Sequence, residues 1–413
     1  MRKFLAPIAA FATTVVCVPM LLVGAAAQPA AAAPAPYTIA LIVTETGLGA
    51  AGYAGAAAGF DARVALQNSE GGVDGHKLVP LVIDDQTTQV VTAMQYALSK
   101  HPIGIVADSA LFSSAAKYAQ QTGLPVTGES TDGPEWGEQP YTNMFSSDGG
   151  PVNPNYPVNA FIGKMLKLVG AKVLGTYGYA IAPNSVYAAR AASYAFQRIG
   201  GTVGVEDTSV PFGTVDFTTE ALSAKQQHVD TLWPNLLDSS DYALAQAFEQ
   251  AGLKLKAAIF PVGYAPSVIH SPAWSSLQGL DFETQFEPFD LPNAGTKEMQ
   301  AALDKYAHFT KSQFPTFAQY ESWLGADLMI NGIHLAGPHA TPTTVIKALR
   351  TVKSYTANGI LPVPQDYATG FGKDPEQCHW LMKAEKNGFT PLSPKPICGT
   401  DIPGSNLTTA SSS

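Results

Sequence analysis

The sequence predicts an α/β protein made of two similar units, each a parallel β-sheet flanked by helices. Three observations carry this. Short apolar runs alternate with longer stretches of helical composition from Tyr37 onward; a loop-forming segment rich in Gly, Pro and Asn (148–157) interrupts them; the alternation then resumes. With 413 residues, 46% hydrophobic and only 14% charged, the chain can bury sizeable cores in two or three domains.

Taken in order, Tyr37–Glu45 is a buried-strand run, and Gly52–Ser69 is helical with Phe60, Val64 and Leu66 near one face. KLVPLVIDD is the next strand, placed toward an edge by Pro80. Thr88–Lys100 is helical, Ile103–Ala107 a strand, Ser109–Gly123 a helix stopped by its glycine, and LPVTG a strand. Beyond the break come a strand at Ala171–Tyr179 and a helix at Ser185–Gly200. The strand GTVGVEDTSV, the helix DFTTEALSAKQQH, the strand DTLWPN, a helix at Asp241–Lys254 and the strand AAIFPVG follow. A third zone, Lys297 to Arg350, is mostly helical and includes KEMQAALDKYAHFTKSQF and FAQYESWLGADLMINGIHLA; two short apolar runs finish the chain.

The first 33 residues stand apart. A positive start, an apolar middle and small residues in A-x-A register are the layout of a cleaved secretory signal, so an exported protein of the periplasm, envelope or exterior is expected. An uncleaved anchor is the alternative, because the apolar run is long; a lipid anchor on Cys17 is disfavoured by Val15 and Val16 before it. The formal charge is −9, and −11 without Arg2 and Lys3, which repels phosphate backbones and excludes nucleic acid as a partner. Without the signal, Cys378 and Cys398 are the remaining thiols, and in an exported chain such a pair is expected to form a disulfide.

The stretch EGGVDGHKLVPLVIDDQ (Glu70–Gln86) makes two glycine turns around Val73 before a strand that carries Asp84 and Asp85 to its C-terminal end. In a parallel sheet, ligand clefts form outside those ends. The segment TETGLGAAGYAGAAAGFDARVALQNSEGGVDGHKLVPLVIDDQTT resembles the opening of the type I periplasmic binding proteins, and more narrowly the branched-chain amino acid receptors of ABC transporters. FTTEALSAKQQHVDTLWPNLLDSSDYALAQAFEQAGLK is similar to their second-lobe segment.

This resemblance implies two lobes joined by three crossovers: 34–154 with 288–360, and 155–287 with 361–402, followed by a polar tail at 403–413. It also implies a monomer without cofactor that closes on a small solute, such as an amino acid or a carboxylate or amide compound, and presents it to a membrane permease. A sensor or receptor on the same fold is the alternative.

Carried over residue by residue, the resemblance gives Ser109 and Ala110, at a helix start, to a ligand carboxylate. It gives Ser130, Thr131 and Asp132 to the loop after the next strand, and Tyr53 to an aromatic wall. Asp132 departs from the family pattern, since a second carboxylate there repels an anion. In the second lobe the family's stacking tyrosine falls at Asn184 and its amine-pairing acid near Val262, so both contacts to an amino acid are missing. Asn235, Asp238 and Tyr264 are the candidates to compensate, and Trp233 reads as core.

No enzyme is expected. GESTDG is one residue too long for a nucleophile elbow around Ser130, the eight histidines are scattered, His334 and His339 lack zinc-helix spacing, and no phosphate loop occurs. A secreted serine hydrolase is the remote alternative.

Overall fold

The computed structural model describes residues 34–129, 135–136, 139–147, 157–310, 313–369 and 376–407. The signal segment, Cys17, Ser130, Thr131 and Asp132 lie outside them.

The first unit runs β1 (Tyr37–Val43), α1 (Ala56–Ser69), β2 (Leu78–Asp84), α2 (Val90–Ser99), β3 (Gly104–Asp108), α3 (Ala116–Thr122), β4 (Val126–Gly128) and β5 (Met144–Ser146). Its sheet has the order β2-β1-β3-β4-β5, parallel throughout. Along β1, Ile39, Leu41 and Val43 enter one core with Phe60 of α1, while Ala40 and Ile42 enter another with Met94 of α2. Burial on both faces is why this strand reads as an unbroken apolar run. Pro80 sits on edge strand β2, as expected.

The corner at Glu70–Gln86 is as tight as its glycines suggest. Gly71, Gly72 and Gly75 all have positive φ, and a Cβ on Gly72 would lie 2.1 Å from the His76 carbonyl oxygen. Asn68 closes the corner by bonding both the amide and the carbonyl of Leu78 at 2.8 Å.

The second unit adds β6 (Pro157–Asn159), α4 (Phe161–Leu168), β7 (Val173–Tyr179), α5 (Pro183–Arg198), β8 (Thr202–Val210), α6 (Thr218–Gln226) and β9 (Thr231–Asn235). It continues with α7 (Asp238–Gln250), β10 (Ala257–Phe260), α8 (Trp274–Leu277) and β11 (Asp281–Thr284). The chain then returns to the first unit with α9 (Ala294–Tyr306), α10 (Phe317–Ala336) and α11 (Pro342–Leu349). It crosses once more to β12 (Glu376–Glu385), β13 (Gly388–Pro391) and β14 (Ile397–Asn406).

Helix α10 lies on the first sheet. A Cβ on Gly59 of α1 would be 2.4 Å from the Gln319 carbonyl oxygen, and the Thr127 hydroxyl donates to the Gly325 carbonyl at 2.7 Å. The return crossing after β11 is pinned where the Tyr264 hydroxyl donates to Asp290 at 2.6 Å and the Phe286 ring stacks on Tyr320.

Several expectations change. The helix expected over Ser109–Gly123 is a 3-10 turn at Phe112–Ala115 followed by α3 from Ala116, so Ser109 and Ala110 precede the helix rather than start it, and α1 begins at Ala56 rather than Gly52. The second sheet, ordered β6-β14-β12-β11-β10-β9-β7-β8 with β13 on β12, is parallel only from β8 to β11; β12, β13, β14 and β6 pair antiparallel. The chain arrives at β12 from a crossover rather than from a β-α repeat, and a two-residue turn then folds β13 back on it. Helix α9 stops at Tyr306, not in the run to Phe314, because His308 takes a left-handed conformation and Pro315 follows. Helix α7 starts at Asp238, three residues before the expected start. Strand β14 continues through Asn406, past the expected end of the second lobe, so 403–406 is paired chain rather than tail.

Cys378 and Cys398 form a disulfide between register partners on β12 and β14.

Candidate functional site

The first sheet's strand ends gather Thr44, Asp84, Asp85, Asp108 and Ser109. Asp85 is the hub of this edge. It accepts the Thr44 hydroxyl at 2.9 Å, the Thr87 amide at 2.8 Å and the Ser109 hydroxyl in a short bond. Thr44 in turn accepts the Ala110 amide at 3.0 Å.

Burial pushes Asp85 up, against its hydrogen bonds from Ser109, Thr44 and Thr87. Burial, then the neighbouring Asp85, push the fully buried Asp108 well above the carboxylate range. Asp84 goes the other way. Burial opposes its charge, but the side chain and amide of Thr46 and the amides of Gln86 and Glu45 all donate to it, and its pKa falls below the ordinary value.

The hydroxyl of Ser109 and the amide of Ala110 are therefore engaged inside the lobe. Phe212, in the loop after β8, packs from the other lobe onto the same edge. A Cβ on Gly49 would stand 3.0 Å from Ala110 Cβ, 3.3 Å from Thr44 Cγ2 and 3.5 Å from Phe212 Cζ. On its own lobe the Phe212 ring lies 4.8 Å from that of Tyr179. Phe212 and Leu237 pack against the cores of both units.

Beside this contact opens a cleft of about 490 Å³ whose walls come from both units. The first unit contributes Ala51, Gly52 and Ala54 of the β1–α1 loop and Thr316 and Phe317 at the start of α10. The second contributes Asp238, Tyr242 and Gln246 of α7 and the segment from Gly263 to Ala273. The three α7 residues are spaced by four and so share one helix face.

Gly263, with φ of +94°, lets the loop close over them, since a Cβ there would lie 2.6 Å from the Tyr242 hydroxyl and 3.1 Å from Asp238 Cβ. Asp238 is half-buried, accepts the Ser239 amide at 2.6 Å, and is pushed up to about 6 by burial. Behind it the fully buried Asp241 is driven well above the carboxylate range by burial and then by the charge of Asp238. Among the described residues the cleft wall thus carries a single carboxylate, which ionises near pH 6.

Of the described residues expected at the site, Asp238 alone lines this cleft. Tyr53 is buried in the first core beside the cleft loop. Asn184 is buried at the start of α5, and the Asn235 amide donates to Thr176 Oγ1 and the Trp233 carbonyl. Tyr264 is fully buried, with its hydroxyl on Asp290 and its ring 5.0 Å from Phe389. Tyr242 and Gln246 were not expected at all. Their signal was the four-residue spacing from Asp238, hidden because the helix was expected to start only at Asp241.

These two lobes around a common cleft belong to a non-enzymatic, solute-binding architecture. Residues 36–389 match the family described as periplasmic binding protein, and the chain belongs to that family.

Solved structures share the fold at low identity. One is an R. palustris ABC transporter solute-binding protein in complex with benzoate: 15% identity, 90% of this chain and 98% of that one covered, TM-score 0.72. A Thermus thermophilus branched-chain amino acid ABC transporter protein with bound valine has 15% identity, 87% and 96% coverage and a TM-score of 0.71. A fatty acid ABC transporter substrate-binding protein from Thermomonospora curvata has 16% identity, 87% and 92% coverage and a TM-score of 0.72. No curated protein matches the chain in sequence. Among the described residues no helix is long and apolar enough to cross a membrane.

Proposed function

We propose that the protein is the exported solute-binding component of an ABC importer. It captures a small polar or amphipathic molecule in the cleft between its lobes and delivers it to a membrane permease. The observation that carries this reading is the cleft of about 490 Å³ walled by both lobes, a size and setting suited to one small ligand. A solute touching α7 on one side and the start of α10 on the other stabilises the closed arrangement, because it makes both sets of contacts at once only there. Proteins of similar fold hold benzoate and valine, so the side chains lining each cleft, rather than the scaffold, set the cargo. The N-terminal layout and the disulfide support export.

In this reading Asp238, Tyr242, Gln246 and Phe317 contact the solute, while Ser109 and Ala110 hold the first lobe's edge in shape. A thermal-melt screen of the purified chain against amino acids, amines, carboxylates, amides, small peptides and polyols tests it. The right class raises the melting temperature, since only the folded state binds; at a hundredfold excess over Kd the gain is about 2.7 kcal/mol. No shift with any of them at millimolar concentration rejects the reading.

A further inference from the structure

The cleft's chemistry narrows its cargo, on the premise that it is the solute site. We infer that it selects a cation: a primary or secondary ammonium on a compact apolar body, with Asp238 as the partner of the charge and, among the described residues, no subsite for a carboxylate.

The charge inventory comes first. Among the described residues Asp238 is the one formally charged side chain on the cleft wall, with no lysine, arginine or histidine opposite it. The hydrogen-bond inventory points the same way. The side-chain donors of the wall are largely engaged already: the Tyr242 hydroxyl donates to the Gly263 carbonyl at 3.2 Å, the Gln246 amide to Ser276 Oγ at 3.2 Å, and the Thr316 hydroxyl to the Ala54 carbonyl at 3.1 Å. The acceptors of the same lining residues are the less used: among the described residues the Asp238 carboxylate takes only the Ser239 amide, and the Tyr242 oxygen and the Gln246 carbonyl accept no bond. The Ser271 hydroxyl, without a partner among the described residues, can serve either way.

An ammonium offers two or three donors to such a wall. A carboxylate offers none and would face Asp238 with like charge in a sheltered site. Burial that lifts Asp238 to about 6 shows what a bare carboxylate costs there, and a bound cation offsets that cost.

The remaining wall is apolar. Phe317, Val268 and Ala51 suit a hydrocarbon body, at about 0.8 kcal/mol per buried methylene. An α-amino acid would also need a place for its carboxylate. The candidates for that among the described residues, the Ser109 hydroxyl and the Ala110 amide, are bound to Asp85 and Thr44, with Phe212 packed against the same edge.

Isothermal titration of the purified chain at pH 7.5 decides it, comparing isopentylamine and phenethylamine with the matched acids 4-methylpentanoate and 3-phenylpropionate and with leucine and phenylalanine. The expected result is binding of the amines and at least tenfold weaker binding of acids and amino acids of the same body. Asp238→Asn should weaken amine binding by about 30-fold or more, the scale of a lost charge-assisted bond. Asp238→Glu, which keeps the charge, should retain the preference for amines even if the fit changes.

Tighter binding of the acids or amino acids overturns the cation assignment while leaving the solute-binding reading intact. Amine binding unchanged in a folded Asp238→Asn protein overturns the role of Asp238. Absence of binding by every compound here and in the broader melt screen overturns both.

Discussion

The two lobes present their facing edges in opposite states. In the first, Thr44, Thr87, Ser109 and Ala110 are bonded to one another through Asp85, and the carboxyl left without a partner among the described residues, Asp108, is fully buried behind them. In the second, the face of α7 carries a carboxylate with one internal amide contact, and open acceptors beside it. A polar group whose bonds are made inside its own lobe is scaffold and one left open toward the cleft can bind a guest, although the residue types are alike. Residue identity at a strand end therefore does not mark a contact; the bookkeeping of its partners does.

The strongest way to break this comparison is to empty the first edge. Asp85→Ala leaves the Thr44 and Ser109 hydroxyls and the Thr87 amide without their acceptor in a buried place. At roughly 1–3 kcal/mol per orphaned group, partly offset by relief of a buried charge, the loss should be about 3–4 kcal/mol in urea unfolding. A variant as stable as the parent would show that this edge is not scaffold.

The second test is the pH dependence of the empty protein. The folded pKa of Asp238, about 6, lies above the ordinary aspartate value of 3.8, so the folded state holds its proton more tightly than the unfolded one. Its contribution to stability is complete below about 4 and lost as pH rises through 6. The difference between parent and Asp238→Asn should therefore move by about 2–3 kcal/mol in favour of the variant between pH 4 and pH 7.5. A flat difference would mean that Asp238 is not sheltered by the cleft. Saturating amine should remove most of the change by keeping the carboxylate ionised.

A smaller effect is expected where the two edges touch. Phe212→Ala should cost about 1–2 kcal/mol, less than a fully buried phenylalanine, because the ring is only partly covered. It should also weaken the contact between lobes, seen as a larger radius in small-angle scattering of the empty protein. Unchanged scattering would leave Phe212 as packing for its own lobe alone. The smallest change is Ser271→Ala, expected to alter amine affinity no more than fivefold, since the hydroxyl supplements Asp238 rather than replacing it; this is read in the same titration.

Much of the fold was legible in the chain. The apolar run at Tyr37–Val43, the glycine corner at Gly71–Gly75 and the capped, apolar stretch from Phe317 to Ala336 are local patterns whose physics does not depend on the rest of the molecule. The antiparallel end of the second sheet was not legible, because strands Glu376–Glu385 and Ile397–Asn406 find their partners only after the last crossover. The site was legible in part. Asp238 could be proposed from its place after a strand. Tyr264 and Asn235 have equally suitable side chains and equally suitable places, and they are used up by Asp290, Thr176 and Trp233.

The sequence by itself determined the alternation of strands and helices, the paired sheets and hence the family, because periodicity and turn chemistry act over a few residues. Only the tertiary structure decided which polar groups remain free, because a hydrogen bond is spent by a partner that can lie anywhere in the chain. The Ser109 hydroxyl is taken by a residue 24 positions away, and Tyr264 by one 26 away. What is left at Asp238 is set by the close approach of Gly263 and by the cleft it shares with Phe317 of the other lobe.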